Sequence, residues 1–540
     1  MFIYLIILFC TFLLYYARWH YRHWERLGFP YVKAKGPLGV LDSVLRTRQK
    51  SFGMAIYDAY KQSSEKILGI YIINRPAVLI RDAQLARDIL TKDFISFHDR
   101  GVYVDEENDP MSGGLFFLKG TKWKTLRAKL TPSYSSGKLK SMFSTIQDVS
   151  QKLVNYLDSE LPEDGSSRRV ELKHLFATYA IDIIASVIFG LEVNSFENPT
   201  NEFVALSKHI NGSSYIAMLR GTCQFMFPSL EKFFQSLGWS EKASDFMNKI
   251  VKETVCYREQ NNVERKDMLQ ILLQLRNTGK INTDDDDGHV NAQLWSAQKT
   301  KEALEWMTVD VIAAQLYLFY IAGFETTAST SAFTLYELAR YPKLLQKAQQ
   351  DVEKAVEQHS SLTYDALKDM KYLDLCIKGK KLVKKSVIFD IFVFFFHTET
   401  IRKYPALPIL NRECTNDYQL PNSELVIKKG TPVIISLFGI HRDAKYFPEP
   451  LRYNPERFSE QNPTFDSIAY MPFGEGPRHC IAQRMGLINV KVAIAQILQR
   501  FKVEINENMK EIEIDNFGVP IMAKGGVNIF LAKKLNTISK

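Results

Sequence analysis

FGEGPRHCIA, residues 473–482, is the most informative stretch of this 540-residue chain. Its two glycines and its proline predict a tight loop just before a helix, with Cys480 at or near the start of that helix. The positive end of a helix dipole lowers the pKa of a thiol and favours the thiolate, which is the form that binds a metal. Arg478 can meet the carboxylate of a cofactor. A structural cysteine in a glycine-rich turn is the alternative, and the combined Phe-Gly-x-Gly-x-Arg-x-Cys pattern disfavours it.

These residues resemble the axial-cysteine loop of the cytochrome P450 superfamily of haem-thiolate monooxygenases, and the resemblance extends over nearly all of the chain. It implies that Cys480 binds the iron of haem b and that Phe473 belongs to the cofactor site. Ala482 stands where many members have glycine, a departure that the family tolerates. The expected fold is mainly α with small β-sheets, in a single large catalytic domain. Helical periodicity over residues 120–160 and 170–260 agrees with this expectation.

The resemblance also implies a set of partners for the two haem propionates. Trp123 and Arg127 match a Trp-x-x-x-Arg helix that contacts a propionate in the family. Arg412 and Arg478 match further propionate partners, and Arg100 is a weaker match. Paired hydrogen bonds from arginine to a carboxylate make this assignment chemically reasonable.

Glu399 and Arg402 match the family's Glu-x-x-Arg motif, whose two charges lie on one face of a helix. Arg457, in PERF at residues 455–458, matches the arginine that completes a buried three-residue network with them. Loss of one member would leave an unpaired buried charge, at a cost of about 3–5 kcal/mol. The Glu-x-x-Arg pattern by itself is weak evidence for this family, since it usually marks an exposed pair of charges on a helix.

AGFETT, residues 322–327, matches the family's oxygen-activation signature and lies in a long apolar segment. Thr308 can cap a helix that continues to Tyr341, where Pro342 follows. Gly323 is expected to leave room for dioxygen, and Glu325 and Thr326 are expected to deliver the two protons that oxygen scission needs. A plain helix with a solvent-facing Glu-Thr-Thr is the alternative.

Composition excludes several other classes of protein. Hydrophobic residues are 46% and charged residues 24% of the chain, as in ordinary globular proteins and unlike collagen-like or disordered chains. The net charge of +9 is mild for this length and does not indicate a nucleic-acid partner. The six cysteines contain no CxxC pair, which disfavours a zinc ribbon or a disulfide framework. Residues 67–80 predict two strands with a turn at 74–76.

The N-terminus predicts a membrane anchor. Residues 2–17 carry no charge, and Arg18 and Arg22 follow directly. The positive flank on the C-terminal side places the rest of the chain in the cytosol, on the endoplasmic reticulum membrane if the resemblance holds. A cleaved signal peptide, the alternative, needs a basic residue before the apolar run and a small-residue cleavage site after it. We predict an anchor over 1–24, a linker over 25–45 and the catalytic domain over 46–540.

Residues 379–398, GKKLVKKSVIFDIFVFFFHT, interrupt the family pattern between Lys378 and Glu399. Gly379-Lys380 can be encoded with a splice donor, and the end of the segment can be encoded as a pyrimidine-rich tract with an acceptor. We hypothesise that the segment is a retained intron, and a genuine lineage-specific loop is the alternative. Residues 387–396 form an apolar, β-prone run that would promote aggregation if exposed, which puts folding and haem retention in question.

The resemblance is strongest to insect microsomal members that oxidise xenobiotics. The expected reaction inserts one atom of O2 into an apolar substrate, either xenobiotic or endogenous and lipid-like. Electrons are expected from NADPH through a separate NADPH-cytochrome reductase, with cytochrome b5 as a second partner, because no GxGxxG fingerprint follows a strand. Apolar side chains within residues 101–118, 406–411 and 516–523 predict a ligand held by shape.

Two other functions stay open at this point. A haem-thiolate isomerase or dehydratase would use no external electrons, and Glu325 with Thr326 disfavours it. A non-catalytic haem-binding protein or a misfolded product is the second alternative, and it would follow from residues 379–398.

Overall fold

The computed structural model describes residues 1–540 except 35, 211–220, 222, 226, 237–241, 282–303, 378–398, 460–462, 506–510, 517–519 and 535–540. The helices are α1 (Phe2–His20), α2 (His23–Arg26), α3 (Asp42–Leu45), α4 (Phe52–Tyr60), α5 (Ala83–Leu90), α6 (Gly120–Leu130), α7 (Ser136–Ser141), α8 (Phe143–Glu160), α9 (Leu172–Ile184), α10 (Glu202–Ile210), α11 (Pro228–Ser236), α12 (Lys242–Asn261), α13 (Met268–Thr278), α14 (Val309–Arg340), α15 (Pro342–His359), α16 (Tyr364–Asp369), α17 (Lys371–Ile377), α18 (Glu399–Lys403), α19 (Leu437–His441) and α20 (Gln483–Arg500). The predicted mainly α fold with small sheets is confirmed.

The strands form three small sheets at the periphery of the helices. They are β1 (Ile67–Ile72), β2 (Arg75–Ile80), β3 (Arg168–Glu171), β4 (Leu410–Glu413), β5 (Tyr418–Gln419), β6 (Val426–Ile427), β7 (Pro432–Ile435), β8 (Phe501–Glu504) and β9 (Asn528–Lys533). Their orders are β1-β2-β7-β4, β3-β9-β8 and β5-β6. The first hairpin matches the prediction except that its turn lies at residues 73–74, because Arg75 pairs with Ile72.

Helix α14 runs through the centre of the helical core. It has 32 residues, and the Thr308 hydroxyl accepts a hydrogen bond from the backbone N–H of Val311, as an N-cap does. Helix α9 and helix α20 pack against it, and most of its side chains are buried. The predicted start and end of this helix are confirmed.

Helix α1 projects from the core, and none of its residues is buried. In the described part of the chain three helices are long and apolar enough to cross a membrane: Phe2–His20, Leu172–Phe189 and Val309–Arg340. The second and third are 78% and 67% buried within the protein. Their apolar character is therefore explained by the core that they form, whereas α1 meets the described part of the domain only near His20, which contacts Tyr71 and Asn74.

Residues next to the predicted boundary between anchor and linker contact β1. Trp24 is 2% exposed, and its indole N–H donates to the carbonyl oxygen of Ile70 at 3.0 Å. Within the predicted linker over 25–45, Tyr31 pairs with Gly69 and Gly39 pairs with Ile72. The end of the predicted anchor and part of the predicted linker therefore lie against β1.

Helices α17 and α18 lie on either side of residues 378–398, which are outside the described residues. The Thr400 hydroxyl nevertheless donates to the carbonyl oxygen of Cys376 at 3.0 Å. Thr334 Oγ1 lies 3.1 Å and Tyr453 Oη 2.9 Å from Thr400 Oγ1. The two short helices are thus joined through one buried polar cluster.

Candidate active site

The Cys480 loop is a tight turn in front of α20. The Cys480 N–H donates to the Phe473 carbonyl oxygen at 2.9 Å, and the His479 N–H donates to the Gly476 carbonyl oxygen at 3.1 Å. Gly476 has φ +70°, and a Cβ there would stand 1.9 Å from the Leu90 carbonyl oxygen. Only glycine fits at this position, since the backbone is left-handed and a neighbouring chain lies against it. The loop therefore presents Cys480 in front of α20, as the sequence predicts.

The Cys480 thiol is surrounded by many protein atoms although its side chain is exposed, and desolvation raises its pKa. The backbone N–H of Ala482 and the charges of Arg127 and Arg100 oppose this rise. Helix α20 begins at Gln483, just after the cysteine, and the effect of its dipole on the thiol stays a prediction. Coordination to a metal ion deprotonates a thiol outright.

Arg478 donates most of its hydrogen bonds to acceptors within the protein. Its Nη2 donates to the Leu118 carbonyl oxygen at 2.7 Å and lies 3.3 Å from Asp99 Oδ1. Further hydrogen bonds go to the carbonyl oxygens of His98 and Phe116. Burial lowers the pKa of Arg478 to about 10, against the opposing effect of Asp99. Sequence reasoning placed Arg478 on a cofactor carboxylate, and the structure places it chiefly on backbone oxygens.

Arg100 and Arg412 each have a buried guanidinium donor that no hydrogen bond uses in the described part of the chain. Among the described residues, neither Arg100 Nε nor Arg412 Nε has a hydrogen-bond partner, although both atoms are buried. Burial, with repulsion from Arg478, lowers the pKa of Arg412 to about 9. Burial, with repulsion from Arg412 and then Arg478, also lowers the pKa of Arg100. Buried cations without counter-charges are costly, so a dianionic group fits between them. These residues fit the two carboxylates of a haem beside Cys480.

Arg127 and Trp123 lie on α6, on the side of the Cys480 loop. Arg127 Nη1 donates to the His479 carbonyl oxygen at 2.9 Å. Burial lowers the pKa of Arg127, and the Cys480 charge opposes this. Trp123 is 6% exposed, and the Arg478 guanidinium lies over its ring, at 4.2 Å from the centroid. The structure therefore brings all five predicted propionate partners to one region. Arg478 already donates hydrogen bonds within the protein, whereas Arg100 and Arg412 each keep a buried donor without a partner among the described residues.

The predicted proton donors on α14 point to different partners. Glu325 is 2% exposed and pairs with Lys173 of α9 at 3.2 Å, while Ser329 Oγ donates to it at 2.9 Å. Thr326 is half-buried, and its hydroxyl donates to the Ala322 carbonyl oxygen at 2.7 Å. Successive helical residues point about 100° apart, so the acid and the alcohol cannot form one direct hydrogen-bonded pair through these contacts.

Gly323 lies at a close contact between two helices. A Cβ at this position would lie 3.0 Å from Ile184 Cδ1, so the missing side chain permits close packing of α14 on α9. The exposed residue of this turn is Ala322, although the helix around it is mostly buried. The expectation that Gly323 leaves room for dioxygen stays a prediction.

Glu399, Arg402 and Arg457 form one fully buried cluster. Arg402 Nε lies 2.7 Å from Glu399 Oε2, and Arg457 Nε lies 3.1 Å from the same oxygen. The remaining guanidinium donors go to backbone carbonyl oxygens, among them those of His441, Pro450 and Pro448. Each charge is therefore satisfied, which a buried cluster requires.

Three groups were missed by sequence reasoning. Lys173 holds Glu325, Gln315 binds the backbone of residues 113–115, and Glu337 accepts hydrogen bonds from Lys403 Nζ and Tyr404 Oη at 2.8 and 2.6 Å. No spacing in the sequence joins these partners, because they come from distant segments. A polar residue inside an apolar helix, such as Gln315, was the one available signal.

The fold and the cysteine loop together define a haem-thiolate protein, and comparison with known families agrees. The family model described as Cytochrome P450 matches residues 36–379 and 396–527, and the chain belongs to this family. The match omits residues 380–395. That gap falls inside the segment that interrupts the sequence pattern.

Named insect relatives match almost the whole chain. "Probable cytochrome P450 6d5" of Drosophila melanogaster is 52% identical over 533 residues, 98% of this chain and 99% of the relative. "Cytochrome P450 6d3" of Musca domestica is 48% identical over 544 residues, 99% of each. "Cytochrome P450 6k1" of Blattella germanica is 36% identical over 494 residues, 91% of this chain and 88% of the relative. The chain is thus an insect-type cytochrome P450 monooxygenase, a family that uses haem with a cysteine thiolate ligand.

Proposed function

We propose that the chain is a membrane-anchored monooxygenase in which Cys480 binds the iron of haem b. It inserts one oxygen atom of O2 into an apolar organic substrate, xenobiotic or lipid-like, and reduces the other to water. The balance is RH + O2 + NADPH + H⁺ → ROH + H2O + NADP⁺. The observation that supports this proposal most strongly is the exposed Cys480 beside Arg100 and Arg412, whose buried Nε atoms have no hydrogen-bond partner among the described residues. When bound, thiolate-ligated haem supplies the electronic push for O–O cleavage.

The residues of the chain then have separate tasks. Arg100 and Arg412 hold the carboxylates, with Arg127 and Trp123 at the α6 side. Glu325 is a buried carboxylate fixed by Lys173, and the Thr326 hydroxyl, which donates to the Ala322 carbonyl oxygen, is the second proton-carrying group. Because direct contact between them is absent, the transfer between Glu325 and Thr326 needs intervening water.

Electrons come from NADPH through a separate NADPH-cytochrome reductase, and cytochrome b5 is a second donor. Helix α1 holds the protein in the endoplasmic reticulum membrane with the catalytic domain in the cytosol. Its length and complete exposure support an anchor, and Arg18 and His20 at its end support this orientation. The test is reconstitution with a microsomal reductase. NADPH-dependent hydroxylation of an apolar probe such as 7-ethoxycoumarin, lost in Cys480→Ser, is the expected result; turnover that survives Cys480→Ser would overturn the proposal.

We further propose that the active chain lacks residues 379–398. If they are removed, Thr400 follows Cys376 by four positions, since 377, 378 and 399 lie between. A helical threonine donates to the carbonyl oxygen four residues earlier, as Thr326 and Thr334 do at 2.7 Å. Thr400 makes this same contact with Cys376 at 3.0 Å. α17 and α18 are then two parts of one helix, and the gap in the family match supports this.

Transcripts decide between an intron and a genuine loop. Amplification of cDNA across the codons for residues 371–403 should give a product 60 nucleotides shorter than genomic DNA, since the segment has 20 residues. Transcripts that all keep the segment, from genomic DNA without GT and AG at its ends, would overturn the proposal.

A further inference from the structure

Gln315 binds the backbone of a neighbouring segment in two directions. Its side chain is fully buried on α14. The Leu115 N–H donates to Gln315 Oε1 at 2.9 Å, and Gln315 Nε2 donates to the Gly113 carbonyl oxygen at 3.0 Å. One side-chain amide thus pairs with the segment as a neighbouring strand would, in an interior where unmet polar groups are costly.

The segment lies very close to the helix at this point. A Cβ added at Gly114 would stand 3.1 Å from Leu318 Cβ and 3.4 Å from the Ala314 carbonyl oxygen. The backbone of Gly114 therefore rests on one face of α14, one turn or more before Ala322. Loss of the two hydrogen bonds would free this contact, because the glycine has no side chain with which to hold it.

The other end of the segment is tied to the Cys480 loop. Arg478 donates to the carbonyl oxygens of Phe116 and Leu118, at 3.4 and 2.7 Å. The centroid of the Phe116 ring lies 4.0 Å from the guanidinium of Arg100, whose buried Nε has no hydrogen-bond partner among the described residues. Residues 113–118 therefore bridge α14 and the Cys480 loop, and Phe116 is positioned between the two.

We infer that Gln315 is a positioning residue that sets the shape of the substrate space by fixing residues 113–118. The inference rests on the proposed haem-dependent function. Gln315 touches neither cofactor nor substrate in this account; it acts through Leu115 and Phe116. Its loss should change how large ligands fit while small ones bind as before.

The test compares Gln315→Leu with the matched control Gln496→Leu. Gln496 is also a buried glutamine, on α20, where its Nε2 donates to Ser150 Oγ at 3.2 Å. Imidazole and 1-phenylimidazole are titrated into each ferric protein, since both bind haem iron and only the second needs space around it. We expect Gln315→Leu to change the ratio of the two dissociation constants about tenfold, the effect of one unmet buried hydrogen bond. If the ratio of the two dissociation constants is the same in Gln315→Leu as in Gln496→Leu, the inference is overturned.

Gly114→Ala gives a second route to the same displacement. Its φ of −63° accepts alanine, and the added methyl group must push the segment away from Leu318. The same change in the ligand ratio is expected, with Gln315 intact. An unchanged ratio in this variant counts against the segment as the determinant.

Hydrogen exchange separates this inference from the proposed function. Gln315→Leu should lose protection in peptides that cover residues 110–118, and Gln496→Leu should keep it. This readout does not require haem, so a chain that fails to bind haem refutes the proposed function alone. Unchanged protection in Gln315→Leu refutes the anchoring by Gln315 in either case.

Discussion

The hydroxyl of Thr400 donates to the carbonyl oxygen of Cys376 at 3.0 Å, although the two residues are 24 positions apart. This is the geometry of a threonine four positions along the same helix. Glu399, the neighbour of Thr400, anchors Arg402 and Arg457 in the buried cluster. In the sequence, residues 379–398 therefore stand between two residues that the fold brings into direct contact.

The buried cluster should be essential for folding. Arg457→Met leaves Glu399 without one of its two cations, and we expect a loss of about 3–5 kcal/mol in the free energy of unfolding. Lys428→Met is the control, because its ion pair with Asp417 is exposed and such pairs contribute little to stability. Denaturant unfolding measures both. Equal losses in the two variants would contradict the role of the cluster.

The arginines with free donors should hold the cofactor. Arg412→Met removes a buried guanidinium that pairs with a haem carboxylate, and we expect faster haem loss with about 2 kcal/mol or more of lost binding free energy. Transfer of haem to an excess of apomyoglobin gives the rate. Arg75→Met is the control, because Arg75 already has Glu413 at 3.9 Å. Haem loss at the wild-type rate in Arg412→Met would show that Arg412 is not a partner.

Thr326 should govern how efficiently electrons are used. Thr326→Val keeps the shape of the side chain and removes the hydroxyl, so we expect about 10- to 100-fold less product per NADPH oxidised. Product and hydrogen peroxide are measured together. Thr131→Val is matched, since Thr131, at the C-terminal end of α6, makes the same bond to the carbonyl oxygen four residues earlier, at 2.7 Å. A comparable loss in Thr131→Val would point to helix stability instead.

The anchor and the domain should separate between residues 17 and 24. Deletion of residues 2–17 should release the protein from membranes without lowering its melting temperature, because α1 buries nothing in the domain. Trp24→Ala should cost about 3–5 kcal/mol, since Trp24 is buried against Gly69. Sedimentation and thermal unfolding test the two variants. A deletion that destabilises as strongly as Trp24→Ala would place α1 in the fold.

Sequence alone predicted the elements that depend on local pattern. Thr308 and Pro342 bound α14 because capping and proline act over a few residues. Glycine spacing likewise predicted the Cys480 loop. Trp24 was assigned to the anchor because an aromatic residue after an apolar run is typical of a membrane interface, and its partner Gly69 is distant in sequence. The partners of Arg478 and Glu325 also come from distant segments, which no spacing encodes.

The reduced carbon monoxide difference spectrum tests the central claim most directly. It should be recorded for the chain without residues 379–398 and for the same chain with Cys480→Ser. The account predicts the red-shifted band of thiolate-ligated haem in the first protein and its absence in the second. A shortened chain that shows no such band, or a Cys480→Ser variant that keeps it, would contradict the claim that Cys480 is the haem ligand.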